Sequence, residues 1–147
     1  MAGGGLLLTS DFLLFCMSID LFSASGIAAW QKRLNRSPAF AAAASSWTGR
    51  LLLVENNASG VSRSTWVVVG HGRCVEARIG LPSDELSADY VLAASADTWL
   101  DLITARHSPA TAALLGRLTL LKGNVMSLIP HAKAAAELLA AAAEGPP

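Results

Sequence analysis

Few residues of this chain could do chemistry, and the first pair to weigh is Cys74 with His71. A cysteine nucleophile needs a neighbouring base to draw off its proton, and a histidine three residues away could serve. The two flank a tight turn, however, where side chains three apart point past each other. A surface histidine and a half-buried structural cysteine are therefore expected. His71, His107 and His131 are spread along the chain without the clustered thiols or carboxylates of a metal centre, and no metal site is expected. Asp89, beside Tyr90 at a strand entry, could act as a general base if apolar surroundings raised its pKa. An aspartate in that place more simply bonds the local backbone. Gly70, Gly72 and Gly80 do not form a phosphate-cradling loop ahead of a helix. No catalytic residue and no cofactor follow from these types and spacings.

Composition narrows the field further. A chain of 147 residues, 52% hydrophobic and only 15% charged, suits one domain with a full core and apolar surface to spare. With a formal net charge of zero there is no basic excess to neutralise phosphates, so nucleic acid is not an expected partner, and attraction to anionic membranes has no support. Cys16 and Cys74 are too few and too far apart for a disulfide scaffold, which points to a reducing, cytoplasmic setting. The opening run MAGGGLLLTSDFLLFC lacks Lys or Arg ahead of its apolar part and is interrupted by Asp11, which argues against a signal peptide. It is also too short to cross a bilayer, so no stable membrane insertion is expected. We expect residues 1–17 to be a disordered extension, 18–143 one folded domain, and 144–147 a tail.

The elements that would position any site can be read in order. Ile27, Trp30 and Leu34 give one apolar face to a helix from Ser25, with Lys32, Arg33 and Arg36 opposite. Ser37-Pro38 caps a short alanine helix anchored by Phe40. LLLVE is a strand apolar on both faces, NNASGVSRS a loop, and TWVVVGHGRCVEARI two strands joined at His71-Gly72 or Gly70-His71. Alternation on the second of these puts Val75, Ala77 and Ile79 on the core face and Cys74, Glu76 and Arg78 on the other. After the turn-like Leu-Pro-Ser-Asp comes a strand from Ala88 to Ala94. Ser95 then caps a helix whose Trp99, Leu102 and Ile103 are buried, and Ser108-Pro109 starts another that ends near Leu115 and Gly116. Arg117 to Lys122 is the fifth strand, with Leu118 and Leu120 on one face. HAKAAAELLAAAA, from His131 to Ala143, is helical by propensity and apolar nearly all round.

Ala88 and Asp89, Trp99, Pro109 with Ala112 or Ala113, then Gly116, Arg117, Leu118 and Gly123 together carry a resemblance to the sterol carrier protein 2 family, spanning about Leu21 to Ala143. Two departures are Asn124, where an aspartate is usual, and Pro130, which interrupts the following helix. The resemblance implies an α+β fold with a five-stranded, mainly antiparallel sheet covered by helices. It also implies an apolar cavity between the sheet and the helices after Trp99, closed by the C-terminal segment as a lid. Periodicity suggests a lining of Trp99, Leu102, Ile103, Leu114 and Leu115, continued by Leu118, Leu120, Met126, Leu128 and Ile129. The same residues would also serve as plain core.

The implied function is binding of a hydrophobic ligand, a fatty acid, acyl-CoA or sterol-like lipid, and its transfer between membranes or to an enzyme. A homodimer is compatible with it. The alternative is a small enzyme on the same scaffold, a hydratase, isomerase or epoxide-opening protein. That alternative would gain if Asp89, Glu76, Arg78 or His71 pointed into the cavity. A third reading, an accessory domain that docks a partner enzyme, has only the bare alanine surface of the last helix to recommend it.

Overall fold

In the computed structural model, which describes residues 19–57, 59–60 and 62–143, serine and proline mark the element starts that the sequence suggested. The extension and tail anticipated over 1–17 and 144–147 lie outside the described residues. Helices α1 (Ala24–Leu34) and α2 (Pro38–Ala43) lead into strands β1 (Thr48–Asn56), β2 (Arg63–Gly70) and β3 (Arg73–Ile79). Next come α3 (Asp84–Ser87), β4 (Tyr90–Ser95), α4 (Ala96–Ile103), α5 (Pro109–Leu114) and β5 (Thr119–Lys122). The chain then runs through α6 (Val125–Leu128), a 3-10 turn (Ile129–His131) and α7 (Ala132–Ala140). The hydroxyls of Ser37, Ser95 and Ser108 accept from the backbone N–H three residues on, at 3.1, 3.2 and 3.1 Å, satisfying donors that a helix start leaves free. Ser23 does the same for α1.

The five strands form one mixed sheet in the order β3-β2-β1-β4-β5. Its pairings are antiparallel except β1 with β4, which run parallel with Leu53 opposite Leu92. Leu51, Leu53, Val67 and Val69 point to the helical side, where they meet Trp30, Leu34 and Phe40 of the first two helices and Trp99, Leu102 and Leu138 of later ones. Leu52, Trp66, Ala88 and Val91 make a smaller cluster on the opposite face. Hence β1 is apolar on both sides, as its unbroken run of leucines predicted.

The register of β3 departs from simple alternation. Val69 faces Cys74 and Val68 faces Glu76, so Val75 is an extra residue bulged out of the ladder. The bulge turns Val75 to solvent, 63% exposed, and brings Cys74 into the core beside Val69. Ala77 keeps the core face, Ile79 is exposed at the strand end, and Glu76 and Arg78 keep the outer face. The hairpin turn is His71-Gly72, with φ of 50° and 84°.

The C-terminal helix is apolar nearly all round and buries one side of that surface. Its Ala134, Leu138 and Leu139, with Ala141 and Ala142 beyond its end, are buried. The Trp30 indole donates to the Leu138 carbonyl at 2.9 Å, and the Ile19 N–H to that of Ala142 at 2.7 Å. Alanine lets α7 approach closely, and the two leucines with these two bonds fix it. No helix among the described residues is long and apolar enough to cross a membrane.

Candidate functional site

Between the helical face of the sheet and α4 to α7 lies an apolar cavity of about 150 Å³. Leu51, Leu53 and Leu92 are its floor, and Trp47, Trp99, Leu138 and Leu139 its inner walls. Ala110, Ala113, Val125, Ile129 and Ala132 line it too and are exposed, so the mouth opens between α5, α6 and the start of α7. The alanines explain the void, because a small side chain on a helix pinned elsewhere by leucine leaves space against the sheet. A void of this size holds a molecule of about six carbon atoms, whereas sites for larger ligands run to roughly 300–1,000 Å³. A long chain or a polycycle therefore needs the cavity to widen.

Of the residues picked out by periodicity, Trp99, Leu118, Leu120, Leu128 and Ile129 come together around this cavity. Leu102 and Ile103 are buried under α4 as core, with Ile103 facing a different cleft. Leu114, Leu115 and Met126 stand at the surface, Leu114 being 87% exposed. Helix α5 is only six residues long; it buries Ala112, sets Ala110 and Ala113 at the cavity mouth, and leaves Leu114 and the following Leu115 facing solvent. Sequence reasoning missed Trp47, Leu51, Leu53, Leu92, Leu138 and Leu139. The alternation of β1 could have supplied Leu51 and Leu53, but which sheet face meets the helices is decided by long-range packing.

The polar residues weighed for chemistry lie elsewhere. Asp89 accepts the Arg50 backbone N–H at 2.9 Å and pairs with its guanidinium at 3.1 Å, which holds the carboxyl below the usual carboxylate range. Glu76 takes the Trp66 indole N–H at 3.2 Å on the outer face of the sheet. Beside it Arg78 forks onto Asp84 at 2.8 and 3.0 Å. Cys74 points into the core, where burial pushes its thiol up to about 12. His71 sits exposed on the turn with Nδ1 3.4 Å from the Ser45 carbonyl, so no thiol–imidazole pair forms. Among the described residues no group of three His, Cys, Asp or Glu side chains is placed to hold a metal ion.

A second, wider cleft of about 440 Å³ borders Leu21, Phe22, Glu55, Arg63, Asp97 and Leu100. Glu55 is buried there and accepts a two-pronged bond from Arg63 at 2.8 and 3.0 Å, while Arg63 also reaches Asp20 at 3.0 Å. Bonds from Glu55 first, and then from Asp20, raise the Arg63 pKa against its partial burial. This cleft is larger than the apolar cavity, but its Glu55, Arg63 and Asp20 already bond one another. The apolar cavity is the better candidate because its lining is almost wholly apolar.

One wall of that cavity carries an unsatisfied group. The indole N–H of Trp30 donates to Leu138, that of Trp66 to Glu76 and that of Trp99 to the Val54 carbonyl at 2.9 Å. Trp47 is only 2% exposed, and its Nε1 has no partner; with Arg33 Nη1, it is one of two such buried side-chain atoms among the described residues. Leaving a buried donor unmade costs about 1–3 kcal/mol. The His131 ring stacks on the Trp47 ring with centroids 5.5 Å apart and planes 15° from parallel.

Comparison with known proteins gives this arrangement a context. The profile of the SCP-2 sterol transfer family matches residues 28–130. A crystal structure of sterol carrier protein 2 is 32% identical, with a TM-score of 0.76 over 86% of this chain and all of the other. A conserved hypothetical protein of Thermus thermophilus, described as a candidate sterol carrier protein, is 31% identical with a TM-score of 0.72, over 88% of this chain and 93% of its own. The apo form of sterol carrier protein 2 from Yarrowia lipolytica shares the fold at 20% identity, with a TM-score of 0.56 over 88% of this chain and 98% of its own. No curated protein gives a significant match.

Proposed function

We propose that this chain, which belongs to the SCP-2 sterol transfer family, binds one hydrophobic lipid in the cavity between its sheet and helices α4 to α7. The candidates are a fatty acid, an acyl-CoA or a sterol-like molecule. The observation that carries this reading is the cavity's lining, built from Leu, Ala, Val, Ile, Pro and Trp without a single Lys, Arg, Asp or Glu. Burying about ten methylenes once the cavity widens would release roughly 8 kcal/mol before association costs, so apolar contact alone can supply useful affinity. Family membership supports lipid binding and transfer in general. Carriage between membranes, or to an enzyme, is the finer part of the proposal.

Entry of a long ligand calls for a part of the wall that opens. Helix α6 and the 3-10 turn bury no residue, and Val125, Met126 and Ile129 are all exposed, whereas α7 is pinned by Leu138 and Leu139. The opening segment is therefore 123–131 rather than 131–143, with Pro130 at its C-terminal end interrupting the helical hydrogen bonds. The enzyme reading called for Asp89, Glu76, Arg78 or His71 in the cavity, and none of the four lines it. Native mass spectrometry of the purified full-length chain tests the carrier reading. An adduct of lipid mass that disappears on denaturation is expected. A chain that carries none and takes up none from added palmitate or cholesterol would overturn it.

A further inference from the structure

Six of the ten large hydrophobic side chains exposed among the described residues lie between Leu114 and Ile129. Leu121 turns away from the cavity, since it alternates along β5 with Leu120, which lines it. The other five gather at the mouth. Val125 and Ile129 border it, and Met126, between them in sequence, is 68% exposed. On the α5 side, Leu114 lies one turn along the helix from Ala110, another residue of the rim, and Leu115 follows it. Apolar side chains left in water around an opening mark a surface that meets a partner. The neutral total charge conceals an uneven spread. From Leu102 to Ala136, the stretch that holds this whole rim, there is no Asp or Glu, whereas Arg106, Arg117, Lys122 and Lys133 all fall within it. Arg117 is taken by Asp101 at 2.9 Å, and Lys122 donates to the Glu85 and Leu86 carbonyls. Lys133 is exposed and adjoins Ala132 of the rim, with Glu137 a turn further along α7.

Resting on the carrier reading, we propose that this rim is the face by which the chain docks on an anionic lipid bilayer. Leu114, Leu115 and Met126 enter the boundary between headgroups and acyl chains, and Lys133 meets lipid phosphates. Charge decides between occupants. A second copy of this chain seated on the same face would bring its cations against these cations with no carboxylate from 102 to 136 to answer them, whereas anionic headgroups complement them. The docking is peripheral, since no helix among the described residues is long and apolar enough to cross a membrane. In this orientation the mouth opens onto the acyl layer, and a lipid passes into the cavity without crossing water. Segment 123–131, which forms the opening part of the wall, is then also a docked part, so that contact with the bilayer and opening of the cavity are one event.

The test is flotation of the full-length chain with vesicles of phosphatidylcholine alone and of phosphatidylcholine mixed with phosphatidylglycerol. Binding to the mixed vesicles is expected, weaker at high salt and weaker still without phosphatidylglycerol. Leu114→Ser combined with Met126→Ser alters two exposed residues that do not line the cavity, and should weaken binding to mixed vesicles at least about tenfold. Lys133→Ala should weaken it about fivefold. Val75→Ser, on the strand at the opposite edge of the sheet from β5, should change it by less than about twofold. In the absence of vesicles the double variant should take up 1-decanol as the natural chain does, which separates docking from filling of the cavity. Undiminished vesicle binding by the double variant would overturn the proposal, as would equal binding to both kinds of vesicle. A natural chain that takes up decanol but ignores vesicles would overturn the docking face and leave the carrier reading standing. So would a natural dimer that the double variant breaks, which would give the rim to a second copy. A chain that takes up no decanol, palmitate or cholesterol removes the carrier reading and this inference with it.

Discussion

Burial raises the Cys74 thiol to about 12, and its Sγ donates to the Glu76 carbonyl at 3.6 Å, so the side chain behaves as a small hydrophobe rather than a nucleophile. In a Cys16→Ser background the native protein should therefore resist a thiol-specific disulfide reagent at pH 8 and react fully once unfolded. Rapid native labelling would place Cys74 at the surface. Asp84 works in the opposite sense. Two bonds from Arg78, and then one from the Leu81 N–H at 2.6 Å, hold its carboxyl below the usual range. A carboxyl whose folded pKa is depressed contributes stability above its unfolded value, and that contribution disappears as pH falls through the folded one. Asp84→Asn should cost about 1–3 kcal/mol at pH 7, and the gap from the natural chain should narrow below about pH 4. A gap that persists unchanged into strong acid would contradict this. Trp99→Ala removes a buried ring and its bond to Val54, and should lower stability by roughly 3–5 kcal/mol in denaturant unfolding.

At the scale of elements, α4 and α5 end alike and are finished differently. After α4 the Arg106 N–H reaches the Asp101 carbonyl over Ala105, and after α5 the Arg117 N–H reaches that of Ala112 over Gly116. Both linking residues are left-handed, at φ 61° and 74°, but only the second is glycine. Ala105→Gly should thus stabilise the fold by about 1 kcal/mol, read as a raised urea midpoint. The Ser-capped starts and the Gly116 stop were legible because caps are local chemistry. The face assignment of β3 was not, because the bulge at Val75 is set by its pairing with Val68 and Val69 across the hairpin. Nor was the firmness of α7 legible, since it rests on Trp30, 108 residues away in sequence. Amides of residues 125–131 should exchange faster than those of 138–142, and a bound lipid should slow the first group more. Equal protection in the unliganded chain would remove the opening segment from the account.

For the molecule as a whole, the sequence carried the fold class, and of the ten residues picked out by periodicity five, Trp99, Leu118, Leu120, Leu128 and Ile129, border the cavity. What it could not carry was the other wall, Leu51, Leu53 and Leu92, which becomes a floor only when β1 and β4 pair in parallel beneath the helices. The cavity is thus a property of the two layers together, and filling it should abolish binding while leaving the layers intact. Ala135, half-buried on α7, lines it, and Ala135→Trp would place an indole in the void. Calorimetric titration of the natural chain and of this variant with the same long-chain alcohol is the direct measurement. We expect saturable one-to-one binding by the natural chain and at least about a tenfold loss in a variant that still unfolds cooperatively. A folded Ala135→Trp protein that binds as tightly as the natural chain would contradict the placement of the ligand in this cavity.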